Sequence, residues 1–292
     1  MANSKFPHQW RIIRSATWLL ERVRGISKVT RQPKRVFDVK KKDAGAVAEP
    51  TSSAAPVDDE IGRSAAGTRI LRHTAAVGTA APAGESGRDE WKERRSAHYA
   101  EWLGECETVW HEIVPLEPHI DISVHPPDRT RNRAFYTLVT EGMSDARMKT
   151  PPGVGSDRSR IELLVYVPEF RVPAEGTKEM PFPLGVLKTL ARLPFDYGTW
   201  LYIGHTVPNG DPPRPYVAGS SLTTALLLPA ISEPDGFTQG FTLDGDPVTF
   251  LSVVFLTAAE TQLKLDKGLD ALVDLWGDDI PWVLDLHRRS KV

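Results

Sequence analysis

The stretch Asp244-Gly-Asp-Pro-Val-Thr-Phe-Leu-Ser-Val-Val-Phe-Leu256 decides the class of fold. Its first four residues are Asp, Gly and Pro, which are typical of a turn. The residues that follow are mostly apolar and rich in β-branched and aromatic types, which predicts a buried β-strand. Directly after it, Glu260–Trp276 returns to a helical spacing of apolar residues, although Gly268 weakens the pattern. We therefore expect a buried strand that leads into a helix.

Strand and helix patterns also fill the rest of the chain from about residue 85 onward. Further strands are predicted at His119–His125, Phe135–Thr140, Ile161–Val167, Trp200–Val207, Leu222–Leu228 and Pro281–Leu286. Helices are predicted from Ser86 to Ile113, with Cys106 on the apolar stripe, and at Leu184–Leu193. Because short turns join several of the strands, the sequence predicts an α+β fold with a mixed, largely antiparallel sheet covered by helices.

The N-terminal part of the chain differs from the rest in charge and composition. The 292 residues carry a net charge of −2, but residues 1–42 contain 12 Lys and Arg against two Asp and Glu, so they carry +10 and the remainder carries −12. Residues 1–36 read as a basic amphipathic arm. Residues 38–90 contain no Phe, Trp or Tyr, so we expect residues 37–88 to be a disordered linker. The folded domain is then residues 89–292.

The arm has two functional interpretations besides a basic tail. A basic amphipathic helix can lie on an anionic membrane surface, which would make the protein a membrane-tethered scaffold. It can also contact nucleic acid, whereas a charge of −12 disfavours nucleic-acid binding by the folded domain. The next methionine after Met1 is Met143. A start at a non-methionine codon is therefore an alternative, in which arm and linker are not translated.

Six stretches of the chain match, in order, the motifs of one known family. The signature is Tyr136-Thr-Leu-Val-Thr-Glu-Gly-Met-Ser-Asp-Ala-Arg-Met148. The other five follow in the family's order: Glu162-Leu-Leu-Val-Tyr-Val-Pro168, Leu187-Lys-Thr-Leu-Ala-Arg-Leu-Pro194, Trp200-Leu-Tyr-Ile-Gly-His-Thr-Val-Pro-Asn-Gly210, Asp246-Pro-Val-Thr-Phe-Leu251 and Pro281-Trp-Val-Leu-Asp-Leu-His-Arg-Arg289. Together they resemble the Suppressor of fused domain family, especially its bacterial members, and the resemblance covers about residues 95–290.

This resemblance implies a non-enzymatic α+β domain in the cytoplasm that binds another protein. Bacterial single-domain members are proposed to be immunity proteins that neutralise toxins, so a toxin is the implied partner. The transcription-factor clamp of eukaryotic members needs a second half, and it does not carry over. An acidic domain would also associate quickly with a basic toxin by electrostatic steering. We expect Asp145, His205 and Glu141 to contribute to the partner-binding surface.

Side chains able to do chemistry occur in these stretches but complete no known motif. Ser144, Asp145 and His205 can be written as a Ser/His/Asp set, which keeps a hydrolase as the alternative function. However, Gly-Met-Ser-Asp lacks the second glycine of a nucleophile elbow. The spacings within another group fit no zinc motif: Cys106, His111, His119 and His125. We therefore expect no catalytic residue, no metal and no cofactor.

Overall fold

The computed structural model describes residues 59–73, 88–113, 116–131, 133–170 and 180–292. Its strands are β1 (Asp59–Arg63), β2 (Arg69–Arg72), β3 (Thr108–Trp110), β4 (Asp121–His125), β5 (Tyr136–Glu141), β6 (Ile161–Val167), β7 (Thr206–Pro208), β8 (Leu222–Pro229), β9 (Thr242–Leu243), β10 (Asp246–Pro247) and β11 (Thr249–Thr257). Its helices are α1 (Arg88–Leu103), α2 (Leu184–Asp196), α3 (Asp235–Gln239), α4 (Ala258–Lys267) and α5 (Leu269–Trp276). None of the helices in these ranges combines the length and apolar content of a membrane span.

Seven strands form the main sheet, in the order β3-β4-β5-β6-β11-β8-β7. β6 and β11 run parallel, with Leu163 opposite Leu251. The other neighbouring pairs are antiparallel. A parallel pair needs a long crossover connection, and here that connection contains α2, β7, β8 and α3. The predicted α+β fold with a mixed, largely antiparallel sheet is confirmed.

Helices cover both faces of this sheet. On one face, α2 packs Leu184, Leu187 and Leu190 into an apolar cluster with residues of the central strands. On the other face, side chains of α1, α3 and α5 pack together: Tyr99, Leu103, Phe237, Leu272 and Trp276. Successive residues of β6 and β11 alternate between the two clusters, so both strands are buried along nearly their whole length. This explains why the two strands read as apolar runs rather than as alternating patterns.

The Asp-Gly pair of the opening stretch forms the turn between β9 and β10. Asp244 has a φ of 51° and Gly245 a φ of 76°. Leu243 of β9 stands opposite Asp246 of β10 in antiparallel register. Positive φ at both central residues is the signature of a type I′ hairpin turn, which Asp-Gly favours. The turn predicted from composition is therefore present.

The predicted strand-to-helix junction follows β11 directly. The hydroxyl of Thr257 accepts a hydrogen bond from the N–H of Glu260, and the Glu260 carboxylate accepts one from the N–H of Thr257. This capping box satisfies two backbone donors that a helix start leaves free. Gly268, with a φ of 91°, separates α4 from α5. The helix predicted at Glu260–Trp276 is therefore two consecutive helices.

The prediction that the first helix continues to Ile113 is wrong. α1 ends at Leu103 because Gly104 adopts a φ of 86°, and its N–H closes the last turn on the carbonyl of Ala100. The chain then turns into β3. Cys106, expected on the apolar stripe of that helix, is consequently an exposed free thiol.

Two predicted strands are shorter in the structure than in the sequence pattern. Within Trp200–Val207 only the end joins a strand, because Gly204 has a φ of 81° and the His205 N–H bonds to the Tyr202 carbonyl in a tight turn. In the segment Pro281–Leu286, Val283 makes a single β-bridge to Tyr166 where a strand was predicted. The apolar residues of both segments still pack on the sheet, which accounts for their strand-like pattern.

Part of the predicted linker forms a hairpin. β1 and β2 pair antiparallel, and Glu60 binds Arg69 at 2.6 Å across the pair. The hairpin reaches the domain through the Ala66 N–H, which donates to the Leu265 carbonyl at 3.0 Å. Residues 59–73 thus differ from the expected linker because cross-strand ion pairs and this contact fix them. The arm at 1–36 and the rest of 37–88 lie outside the described residues.

Candidate functional site

The polar residues of the signature surround one buried carboxylate. Glu162 of β6 is 0% exposed. Its Oε1 accepts hydrogen bonds from the Ser144 hydroxyl at 2.6 Å, the Ser144 N–H at 3.0 Å and the Gly142 N–H at 3.2 Å. Its Oε2 accepts one from the Thr140 hydroxyl at 2.5 Å. This carboxylate therefore fastens the 3-10 turn Met143–Asp145 to the start of β6.

Arg95 connects α1 to the same turn. The side chain is 2% exposed, and its two Nη atoms donate to the two carboxylate oxygens of Asp145 at 2.5 and 3.3 Å. Its Nε lies 4.0 Å from Glu162 Oε1. One guanidinium thus faces two carboxylates. Bidentate pairing of this kind fixes geometry as well as charge.

Burial and charge act against each other within this network. Burial raises the pKa of Glu162 to about 7, and the charge of Arg95 together with the donors from Ser144 and Thr140 opposes that rise. For Arg95, burial lowers the pKa, but the charges of Glu162 and Asp145 outweigh it, so the pKa is raised. The guanidinium stays charged, and the stability of the network depends on it.

The turn can approach the sheet only because residue 142 is glycine. Gly142 has a φ of 106°, and a Cβ there would lie 2.1 Å from the carbonyl oxygen of His119. No L side chain fits such a contact, and the backbone conformation also disfavours one. The glycine of the signature therefore has a structural role.

A second arginine holds the outer side of the turn. Arg160 Nη1 donates to the Ser144 carbonyl at 2.6 Å, and Arg160 Nε lies 3.4 Å from Asp246. Arg147, within the signature, donates to the same Asp246 carboxylate at 2.6 Å. The guanidinium of Arg160 also lies over the ring of Trp91, at 5.3 Å from its centroid. The signature turn is thus tied to α1, β6 and β10.

The structure brings two of the three predicted partner-binding residues together. Glu141 is 8% exposed on β5, and Asp145 follows it in the turn that Arg95 holds. Burial raises the pKa of Glu141, while a hydrogen bond from Ser123 and the charge of Arg95 oppose the rise. His205 lies at β7, four strand positions from β5 in the sheet. Partner binding by these residues stays a prediction.

His205 has different surroundings. Its ring packs edge-on against Trp200 at a centroid distance of 4.9 Å. Burial and the charge of Lys264 lower the pKa of His205 to about 4. Lys264 is itself buried, which lowers its pKa to about 8, and its Nζ lies 3.3 Å from the Thr206 hydroxyl. His205 is therefore neutral at neutral pH.

The set Ser144, Asp145 and His205 is not assembled as a hydrolase site. Ser144 and His205 lie at the same end of the strands. However, four strand steps of about 4.8 Å separate β5 from β7, which places them roughly 19 Å apart. The Ser144 hydroxyl donates to Glu162, and Asp145 pairs with Arg95. A nucleophile and its base must be within about 3 Å of each other. These groups therefore cannot act as a triad in this arrangement.

The histidines considered as metal ligands are dispersed. His111 and His119 both contact the buried Asp121 carboxylate, at 3.0 and 2.9 Å. His125 Nδ1 instead faces the Gly104 carbonyl at 2.8 Å. Among the described residues, no group of three or more His, Cys, Asp or Glu side chains is arranged to hold a metal ion. The Asp121 contacts explain why two histidines cluster without forming such a group.

Sequence reasoning missed the charged residues at the centre of the network. Glu162 interrupts the apolar run of β6, and Arg95 falls midway between Trp91 and Tyr99 at the helical spacing of the apolar stripe. A charge inside a buried pattern is the signal that could have identified both, because such charges need partners. The sequence does not show that Glu162 and Arg95 lie beside Ser144 and Asp145.

Two more buried carboxylates lie outside this network. Glu233 is 2% exposed, and within the described ranges its carboxylate oxygens make no hydrogen bond. Burial raises the pKa of Glu233 to about 7, which the charge of Arg133 partly offsets. Glu260 is 0% exposed and accepts hydrogen bonds from both Nη atoms of Arg288, at 2.7 and 2.5 Å. The second pair anchors the C-terminal segment to α4.

Comparison with known proteins gives a family and a shared fold. A family model described as Suppressor of fused protein (SUFU) matches residues 116–289. The crystal structure of a protein described as a SUFU homolog from Neisseria gonorrhoeae FA 1090 is 17% identical with a TM-score of 0.50, over 70% of this chain and 98% of that one.

Two other similar structures have lower scores. A Sufu–Fu complex is 15% identical with a TM-score of 0.46, over 70% of this chain and 92% of that one. Drosophila Suppressor of fused is 17% identical with a TM-score of 0.34, over 59% of this chain and 42% of that one. No curated protein matches the chain.

Proposed function

Because the chain belongs to the Suppressor of fused (SUFU) family, we propose that it acts by binding another protein and not by catalysis. The family is a protein-interaction scaffold and is not known for an enzymatic activity. The match over residues 116–289 is the observation that carries this proposal. The site geometry supports it, since Ser144 is engaged by Glu162 and Asp145 by Arg95.

The partner we propose is a basic toxin, which this chain would neutralise as a bacterial immunity protein in the cytoplasm. Residues 43–292 carry a charge of −12. Several exposed carboxylates lie on α1 and the loop after it: Asp89, Glu90, Glu93, Glu101, Glu105 and Glu107. Charge of one sign steers a partner of the opposite sign and accelerates association. Asp145, Glu141 and His205 stay candidates for contact residues.

Affinity capture with the full-length chain tests this proposal. We expect the immobilised protein to retain one basic protein from a lysate of its native host, and to release it as salt is raised, because surface charge pairs are screened. The captured protein alone should suppress growth of the cells that express it, and co-expression of this chain should then restore that growth. Retention of nothing, or of a protein that has no effect on growth, would argue against the proposal.

Two variants relate the binding to the candidate residues. Asp145→Asn and His205→Ala should weaken capture if these side chains contact the partner, and thermal melts would separate this effect from unfolding. The matched control is Gln262→Ala on the exposed face of α4. Turnover of an ester, phosphoester or peptide substrate that His205→Ala abolishes would instead establish the hydrolase.

A further inference from the structure

Lys264 of α4 is a buried cation that lacks a carboxylate partner among the described residues. Within the same ranges, four other Lys and Arg side chains are buried. Arg95, Arg160 and Arg192 each pair with a carboxylate, at 2.5, 3.4 and 3.3 Å, and Arg133 donates to two backbone carbonyls. Lys264 is 5% exposed, and its Nζ instead contacts the Thr206 hydroxyl at 3.3 Å. A lysine is rarely buried without a partner that balances its charge.

The Lys264 ammonium and the Thr206 hydroxyl can donate further hydrogen bonds. An ammonium has three N–H donors, and within the described ranges Lys264 uses one of them, on Thr206. The Thr206 hydroxyl accepts that bond, so its own proton can be donated to another group. The pair therefore presents several donors to an acceptor that the protein itself does not supply.

The main chain of β7 adds another donor at this place. β7 is an edge strand that pairs with β8 alone. The Leu227 N–H donates to the His205 carbonyl. The Asn209 N–H donates to the Thr223 carbonyl, so the odd positions of the strand face β8. Because backbone groups alternate along an edge strand, the N–H of Thr206 points away from β8 toward the open edge.

The charge of Lys264 also acts on its surroundings. Burial lowers the pKa of Lys264 to about 8, so the ammonium is still mostly protonated at pH 7. The same charge contributes to the lowered pKa of His205. A carboxylate beside Lys264 would oppose both changes. Both are therefore consistent with a positive charge that nothing nearby neutralises.

The site borders the surface of an acidic domain. Thr206 is half-buried on the edge strand, so a small ion can reach it from solvent. Residues 43–292 carry a charge of −12, which repels anions in general. Any anion that binds here would therefore be held by the local donors and not by the field of the whole domain.

We infer that Lys264 and Thr206 form a binding site for an oxyanion, that is, a carboxylate or phosphate group. Its oxygens would accept hydrogen bonds from the remaining ammonium N–H groups and from the hydroxyl and N–H of Thr206. The anion supplies the negative charge that Lys264 lacks, and such charge-assisted hydrogen bonds are strong. Free phosphate and a small organic acid are the two sources of this chemistry. The inference does not depend on the proposed toxin binding.

Thermal unfolding at pH 7 tests the site with one anion from each source. The full-length chain is titrated with sodium phosphate or sodium acetate, each exchanged for sodium chloride at constant ionic strength. A ligand that binds the folded protein raises its melting temperature. We expect a saturable rise with at least one of the two anions, and the anion that saturates at the lower concentration identifies the source. No rise with either anion would overturn the inference.

Lys264→Met is the variant that addresses the ammonium, and Lys267→Met is its matched control at an exposed position of the same helix. Lys264→Met keeps the apolar stem, and we expect it to raise the dissociation constant of the anion at least about tenfold. Lys267→Met should bind as the native chain does. Thr206→Val keeps the branched shape and should weaken binding by a smaller factor, since it removes a neutral donor. An unchanged dissociation constant in Lys264→Met would contradict the inference.

Melting temperatures in chloride alone give an independent measurement. Removing a buried charge that has no partner relieves a desolvation cost. Lys264→Met should therefore melt at no lower a temperature than the native chain. A lower melting temperature would show that the ammonium is already compensated in the native chain, and it would overturn the inference.

Discussion

Replacing Arg95 with methionine tests whether the signature turn depends on a buried charge. Arg95→Met keeps the apolar length of the side chain and removes the guanidinium. Asp145 then loses its bidentate partner, and Glu162 loses the cation 4.0 Å away. Removing one partner of a buried ion pair costs about 3–5 kcal/mol, because the other charge stays buried without compensation. We expect a loss of about 3 kcal/mol, since Asp145 is partly exposed and can recover some hydration.

The sign of the pH effect follows from Glu162. Its pKa is about 7 in the folded protein, above the ordinary 4.5. A carboxyl group with a raised pKa favours folding below its unfolded value, and this contribution is lost as pH rises through the folded pKa. Without Arg95 the folded pKa of Glu162 rises further. The deficit of Arg95→Met should therefore be smaller at pH 5 than at pH 8.

Urea unfolding followed by tryptophan fluorescence at both pH values measures these losses. Arg129→Met, at an exposed position, is the matched control and should change stability by less than about 0.5 kcal/mol. Adding Glu162→Gln completes a double-mutant cycle, in which we expect a coupling of about 1–3 kcal/mol. The reasoning is refuted if Arg95→Met costs under about 1 kcal/mol, if its cost is equal at pH 5 and 8, or if the two substitutions add.

Three further substitutions test other parts of the fold. Gly142→Ala should lower the free energy of unfolding in urea by more than about 3 kcal/mol, because a Cβ would lie 2.1 Å from the His119 carbonyl oxygen and φ is 106°. A decrease below about 1 kcal/mol would contradict the role assigned to this glycine. Burial raises the pKa of Glu233 to about 7, so ionising this carboxyl group should destabilise the native protein by up to about 3 kcal/mol between pH 5 and pH 8. Glu233→Gln should remove that share of the loss, and melting-temperature profiles against pH that are identical for the two proteins would count against it. Arg288→Met should lower the free energy of unfolding by about 3 kcal/mol and speed proteolysis of the C-terminal segment, because the buried Glu260 loses its cation. Unchanged cleavage rates would show that other contacts hold the segment.

The polar network changes the interpretation of the signature. Ser144, Asp145 and Gly142 look like functional residues in the sequence, yet each holds the turn in place through Glu162, Arg95 or a close backbone approach. A buried polar network specifies one local conformation when most of its groups are hydrogen-bonded. Among the described residues the exception here is Arg95 Nε, which lies 4.0 Å from Glu162 and has no hydrogen-bond partner. The signature thus positions the loops at this end of the strands, including Asp145 and Glu141, which stay candidates for partner contact.

Local patterns in the chain were sufficient for most elements and for the family. β6, β8 and β11 are apolar runs bounded by turns, α4 begins with its own capping box, and Asp244-Gly245 adopts the turn that its residues favour. These features depend on spacing and backbone preference within a few residues. The predicted family resemblance is confirmed for the same reason, since its motifs are short stretches of sequence.

Pairing between distant segments was decided only by the tertiary structure. Glu162 meets Ser144 and Arg95 because β5, β6 and α1 converge, although these residues lie 18 and 67 positions from Glu162 along the chain. The end of α1 at Gly104, which leaves Cys106 exposed, and the place of β3 at the sheet edge have the same origin. Periodicity records which side chains are buried, but it does not record which distant residue each one meets. That choice depends on how the whole chain packs.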